Sequence, residues 1–316
     1  MNRHEPIEVF IWDPLPRTGE LDWVIGYVSQ DGVNVSFTRT MDSSDRAELL
    51  SRAHVVIVVA SAVGAADLMG LPNLRSVVSL SPRAAVDPAV TTTLGIRIVT
   101  LPSDTFSTAV AEHTVALILA VAKRLSGDPR AAAQNRLGYS PVATGASVYR
   151  YNWAGWSPVS VRDSRLGLVG FGRIGRRVAS IAVALGMKVS YCCRHRLTPG
   201  DEAKSCVQYK SLPDLCAESD FISLHVPYSE ETRGIIGSRE FSLMRPGAVL
   251  INTSRGGVVD EAELVRALQS GRLGGAALDV FSVEPVPEDH RLLRLENVLI
   301  TPHVAAGVLD MRQLAK

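Results

Sequence analysis

Apolar residues in the first hundred positions come in short unbroken runs rather than in alternation. VFIW (9–12), VVIVVA (55–60), LRSVVSL (74–80) and IRIVT (96–100) are rich in β-branched side chains and lack a polar-out period. That pattern predicts parallel strands covered on both faces. Between them, DRAELLSRA (45–53) and AADLMGL (65–71) have the spacing of helices, which gives a strand–helix–strand rhythm. STAVAEHTVALILAVAKR (107–124) is so dense in apolar residues that it predicts a helix buried almost all round. Such a helix is placed to join two domains. Its closing Lys123 and Arg124 suit the negative end of the helix dipole.

The rhythm breaks over residues 125–165, where Gly, Ser, Pro and aromatics dominate and Trp153 and Trp156 stand among three tyrosines. Two readings stand: an ordered excursion packed on something, such as a second subunit, or a surface loop with anchoring aromatics. Alternation then resumes. Strands are predicted at LGLVG (166–170), KVSYC (188–192), DFISLHV (220–226), AVLINT (248–253), GAALDVF (275–281) and VLIT (298–301). Helices are predicted at 174–186, 212–218, 239–244 and 260–271. The class is therefore α/β with parallel sheets, and 316 residues suffice for about two domains.

Composition narrows the partners. Lys and Arg total 33 against 32 Asp and Glu, a net charge of +1, so no global field favours nucleic acid or an acidic membrane. Any hold on phosphate must be local. The sequence reads as having no stretch of roughly 18 uncharged apolar residues for a membrane helix, and the N-terminal MNRHEPIEVFIWDPLPR has no apolar core of signal-peptide length. Cys192, Cys193, Cys206 and Cys216 match no C-x-x-C metal spacing. Reduced thiols in a cytoplasmic protein are expected, with no metal.

A phosphate cradle is expected at Gly170-Phe171-Gly172-Arg173-Ile174-Gly175, which follows a predicted strand and opens a predicted helix. The first glycine permits the tight turn, the second lets backbone approach a pyrophosphate, and the third lets helix and strand pack closely. The helix start offers free N–H groups to the anion. The next strand ends in YCCRHR (191–196). An acidic residue about 20 positions after such a motif accepts hydrogen bonds from the adenosine ribose. That place falls at Cys193, followed by Arg194 and Arg196. A missing carboxylate and two guanidiniums favour a 2′-phosphate, so NADP(H) is expected over NAD(H). The other reading is a solvated loop edge and a site that tolerates both cofactors. A vicinal disulfide at Cys192–Cys193 is the less favoured alternative to two small strand-end fillers.

Three later stretches, INTSRGGVVDEAELVRAL (251–268), ALDVFSVEPVP (277–287) and NVLITPHVAAG (297–307), each set a charged or titratable residue past a strand. Ligands of open α/β sheets lie outside the strands' carboxyl ends, so Arg255, Glu284 and His303 are candidates for one cleft.

From about Leu74 to Gly307 the chain resembles the D-isomer-specific 2-hydroxyacid dehydrogenases. AVAEHTVALILAVAKR, the glycine motif, LHVPYSEETRGIIG, MRPGAVLINTSRGG, ALDVFSVEP and TPH carry the resemblance in order. It implies two doubly wound parallel-sheet domains, a Rossmann cofactor domain inserted into a flavodoxin-like substrate domain. The implied boundaries are 1–106 for the substrate domain, 107–301 for the cofactor domain with helix 107–124 and excursion 125–165, and 302–316 for a return segment. It also implies that Arg255 grips the substrate carboxylate, that His303 is the acid/base, and that Glu284 is its partner, stabilising the imidazolium and fixing the tautomer. Asp279 would hold the nicotinamide carboxamide, and Val226, Pro227, Thr232 and Ser254 would line the cofactor. The Glu at 284 argues against a formate dehydrogenase, whose partner residue is Gln.

The implied activity is reversible reduction of a small 2-oxo acid, glyoxylate or hydroxypyruvate by analogy, in a cytoplasmic homodimer. A phosphite dehydrogenase-like enzyme and a dinucleotide-sensing, corepressor-like binding protein are the alternatives. The substrate loop departs from the family's glycine-rich pattern. Pro82-Arg83-Ala84-Ala85-Val86-Asp87 stands there, and the N–H groups of Ala84 and Ala85 are the expected carboxylate donors, with methyl groups that narrow the approach. The C-terminus looks short against the family's last helix.

Overall fold

The computed structural model describes residues 6–12, 29, 31–37, 43–58, 63–79, 86–100, 103–125 and 158–306. The expected substrate loop at Ala84 and Ala85, most of the 125–165 excursion and the last ten residues lie outside them. The chain divides into two compact units, Met1–Ser103 and Asp104–Lys316.

In the first unit, β1 (Ile7–Ile11), β2 (Val33–Phe37), β3 (Val55–Val58), β4 (Ser76–Ser79) and β5 (Arg97–Thr100) form one sheet in the order β2-β1-β3-β4-β5. Every pair is parallel. That is the flavodoxin-like doubly wound order. Helices α1 (Ser43–Arg52), α2 (Ala65–Leu68) and α3 (Ala89–Leu94) connect the strands. Phe10, Val56, Val58 and Val77 bury one face, and Val9, Ile11 and Ile57 the other. This two-faced burial is why the runs show no alternation.

The second unit opens with α4 (Ser103–Lys123), four residues earlier than its apolar run predicts. Its stretch Phe106–Lys123 is long and apolar enough to cross a membrane by length and composition, although Glu112 and Lys123 keep it from being an uncharged run. Its Ala111, Val115, Leu117, Ile118 and Ala122 pack into the core instead. Nor is it buried all round: Thr108, Glu112 and Ala116, one helical turn apart, form an exposed stripe. Small alanines on both faces hid that stripe from a reading of apolar density.

The second sheet holds β6 (Arg165–Val169), β7 (Lys188–Cys192), β8 (Val207–Tyr209), β9 (Phe221–Leu224), β10 (Val249–Asn252), β11 (Gly275–Leu278) and β12 (Val298–Ile300). Their order is β12-β11-β10-β9-β6-β7-β8, parallel throughout. Counted within the unit, this is the Rossmann order 3-2-1-4-5-6 with one further strand. The helices are α5 (Arg173–Ala184), α6 (Pro199–Ser205), α7 (Leu212–Glu218), α8 (Ser238–Leu243) and α9 (Glu261–Gln269). Leu166, Leu168, Ile222, Leu224, Leu250 and Ile251 are fully buried on the two faces, each contributing about 1.5–3 kcal/mol over an exposed position. Because all seven strands run the same way, their carboxyl ends share one edge. All four cysteines are free thiols.

Candidate active site

That edge collects the expected residues of the second unit. Gly170 follows β6 with φ +97°, and a side chain there would strike the His225 carbonyl oxygen at 2.4 Å. A Cβ on Gly175 would lie 2.5 Å from the Gly170 oxygen, whereas one on Gly172 meets nothing within 4 Å. The turn is therefore closed beneath and open where Gly172 caps α5, whose first turn holds Arg173 and Ile174 and no acid. An open glycine at an unblocked helix start fits a pyrophosphate.

His225 forms part of the floor. Its Nε2 lies 3.0 Å from Ser223 Oγ. The residue is part-buried, and burial pushes its pKa down to about 4. A neutral ring is what remains near neutral pH. Next to it Val226 and Pro227 leave β9. The Thr232 hydroxyl donates to the Pro227 carbonyl at 2.7 Å and accepts from Ser229 N–H at 2.8 Å. Thr232 thus pins its own loop.

Beyond β10, Asn252 does the positioning and was not foreseen. It is 1% exposed. Its Oδ1 accepts from the Ser254 N–H (3.0 Å) and hydroxyl (2.8 Å), and its Nδ2 donates to the Arg255 carbonyl at 2.9 Å. These bonds fix the turn that presents Arg255, and they use the Ser254 hydroxyl. The Arg255 Nη1 also donates to the Ser254 carbonyl. The following Gly256 abuts the chain after β11 so closely that a Cβ would sit 1.9 Å from the Phe281 carbonyl carbon and 2.3 Å from the Ser282 nitrogen.

The chain that Gly256 touches carries Glu284. One carboxylate oxygen accepts the Phe281 N–H at 3.0 Å, and the other lies 2.6 Å from His303 Nδ1. The arginine turn and the carboxylate–imidazole pair therefore meet through the Phe281–Ser282 backbone. His303 has φ +55°, a left-handed conformation that a non-glycine residue holds only when its surroundings impose it.

Asp279 imposes it. Its carboxylate is 0% exposed. One oxygen accepts from Thr301 Oγ1 (2.6 Å) and Val304 N–H (2.9 Å), the other from Ala305 N–H (2.9 Å). His113 of α4 reaches the same cluster, 3.1 Å from Thr301 Oγ1. Asp279, expected to hold a nicotinamide carboxamide, also braces the histidine turn, because the chain folds back over β11 and leaves N–H groups that need an acceptor.

After β7, Cys193 Sγ lies 3.0 Å from the His195 carbonyl, and burial raises its thiol pKa despite the opposing pull of Arg176. The two arginines expected to bind phosphate, Arg194 and Arg196, both lie exposed after β7. Arg196 pairs with Glu202, its Nε donating to Oε1 at 2.8 Å and its Nη2 to Oε2 at 3.2 Å. The fold of α6 back over Tyr191 carries Glu202 to it. Among the described residues no cluster has the make-up of a metal site.

Residues 131–305 match the family model described as D-isomer specific 2-hydroxyacid dehydrogenase, NAD binding domain, so the cofactor that the glycine turn fits is a nicotinamide dinucleotide. A glyoxylate reductase of Aeropyrum pernix is 38% identical over 251 residues, 76% of this chain and 70% of its own length. Among solved structures, the TT0316 protein of Thermus thermophilus is 31% identical with a TM-score of 0.68, covering 95% of this chain and 90% of its own. D-lactate dehydrogenase of Aquifex aeolicus, solved with NAD and lactic acid, is 29% identical with a TM-score of 0.68 over 97% of this chain and 92% of its own. The chain belongs to the D-isomer-specific 2-hydroxyacid dehydrogenases, NAD(P)-dependent oxidoreductases that act on CH–OH groups.

Proposed function

We propose that this chain reduces a small 2-oxo acid of the glyoxylate or hydroxypyruvate kind to the D-2-hydroxy acid, with NADP(H) preferred. The observation that carries the reading is the 2.6 Å His303–Glu284 contact on a turn held against the Arg255 turn. The glyoxylate reductase relative supports the substrate class.

The bound dinucleotide supplies a hydride to C2 of the substrate. Arg255 offers two parallel N–H groups to the substrate carboxylate, which orients the ketone. As the ketone oxygen gains charge, the His303 imidazolium donates its Nε2 proton, a contribution of about 10²–10⁴ in rate for a positioned acid. Glu284 holds Nδ1–H, fixes the tautomer and offsets the cation. In the oxidative direction neutral His303 takes the proton back.

The test is a screen of glyoxylate, hydroxypyruvate and larger 2-oxo acids with NADPH and with NADH, following loss of the reduced cofactor. Turnover with NADPH on a small 2-oxo acid is expected. Tight cofactor binding without turnover on any of them would favour a dinucleotide sensor, and formation of reduced cofactor from phosphite with NADP⁺ or NAD⁺, with no turnover on the 2-oxo acids, would favour a phosphite dehydrogenase. The proposal extends to a cytoplasmic homodimer. The four free thiols support a reducing compartment, and light scattering on the purified chain tests the dimer.

A further inference from the structure

Four arginines border the adenosine end of the second sheet: Arg173 and Arg176 on α5, Arg194 and Arg196 after β7. The structure separates three of them, Arg176, Arg194 and Arg196. Arg196 is paired at both prongs with Glu202, which is itself 8% exposed and accepts the Tyr191 hydroxyl at 3.0 Å. That phenol also accepts the Leu197 N–H at 2.9 Å. The guanidinium lies over the Tyr209 ring at 5.0 Å. Drawing Arg196 away would leave a nearly buried carboxylate without its counter-ion, a costly state.

Arg194 and Arg176 are exposed, and among the described residues neither has a carboxylate partner. Arg176 lies 5.2 Å from the centre of the Phe171 ring, and Phe171 stacks on Tyr191 at 4.2 Å. Arg176 therefore stands over the layer whose strand ends in Cys192 and Cys193. The opposing pull of Arg176 on the Cys193 thiol places its charge at that same strand end. The Glu202 carboxylate also acts on that thiol, but both its oxygens are held by Arg196. Arg176 also sits near the positive end of the α5 dipole, where a cation is disfavoured unless an anion joins it.

We propose that Arg194 and Arg176 together hold the 2′-phosphate of NADP(H), and that Glu202 keeps Arg196 out of that contact. This rests on the NADP(H) reading above. It reassigns half of the arginine pair to the glycine-motif helix and makes Glu202 a determinant of cofactor choice.

Calorimetric titration of the full chain with 2′,5′-ADP and 5′-AMP tests it without turnover. In the wild type 2′,5′-ADP is expected to bind about 10-fold or more tighter than 5′-AMP. R194A and R176A should each weaken 2′,5′-ADP about 10-fold and leave 5′-AMP within about 2-fold. R196A should change both by about 2-fold or less, and R196K, which keeps a cation on Glu202, gives the same reading if R196A does not fold. Glu202→Gln, which loosens the pair, should tighten 2′,5′-ADP. An unchanged R176A, or an Arg196 variant as weak as R194A, overturns this proposal alone. A wild type that does not distinguish the two probes overturns the NADP(H) reading and this proposal with it.

Discussion

The ends of β10, β11 and β12 and the end of β7 belong to one sheet edge but are built differently. At the first, Asn252, Asp279 and Glu284 spend nearly every oxygen and amide on backbone N–H and C=O groups. Arg255 and His303 are consequently aimed by the main chain. At the second, Cys193 to Arg196 is a half-exposed loop, in which one ion pair holds Arg196 to Glu202. Geometry is fixed where a proton and a hydride must align. Where only a charge must be recognised, it is left to side chains.

The comparison breaks first at Arg255. R255A should lower kcat/KM by about 10³-fold, and R255K should recover little because an ammonium cannot fork onto a carboxylate. Steady-state kinetics with glyoxylate checks both. E284Q keeps the shape of the partner and removes its charge, so kcat should fall by about 10²-fold with little change in cofactor affinity. Equal falls in kcat and cofactor affinity would show that Glu284 serves the fold rather than the histidine.

Gly256→Ala tests whether the two turns must touch. The added methyl cannot avoid the Phe281–Ser282 backbone, so a loss of about 1–3 kcal/mol in stability is expected together with reduced kcat. Full activity with an unchanged melting temperature would mean that the contact carries no alignment.

His225 gives a pH signature. Its folded pKa, about 4, lies below the ordinary 6.5, so the unfolded chain binds the proton more readily. Stability should be constant above about pH 7 and fall as pH drops from 6.5 toward 4, by on the order of 1–3 kcal/mol from this residue. H225N should flatten that part of a melting-temperature profile. The smallest effect is expected from R196A, about 2-fold in affinity for either adenosine probe.

The apolar runs of the sequence located strands buried on both faces, since unbroken β-branched stretches leave little choice. They did not reveal β2, an edge strand whose VNVSF alternates, or β8 with only three residues. Nor did they reveal α6, which is set by its Thr198 cap and Pro199 rather than by an apolar stripe. The same blindness hid Glu202, the α6 residue that takes Arg196. Arg255, Glu284 and His303 were legible because each follows a strand of one parallel sheet. Asp279 was legible as a residue but Asn252 was not, nor were the backbone-bracing roles of either. Those roles depend on which N–H groups the turns leave unsatisfied, a property of the folded backbone.

The most direct test of the account is a crystal structure of the chain with NADP⁺ and oxamate, an unreactive 2-oxo acid mimic. The predicted result places the oxamate carboxylate on the Arg255 guanidinium, its amide-side carbonyl oxygen within hydrogen-bond reach of His303 Nε2, and the 2′-phosphate between Arg194 and Arg176. Oxamate bound away from Arg255 and His303, with the nicotinamide directed elsewhere, would contradict the account.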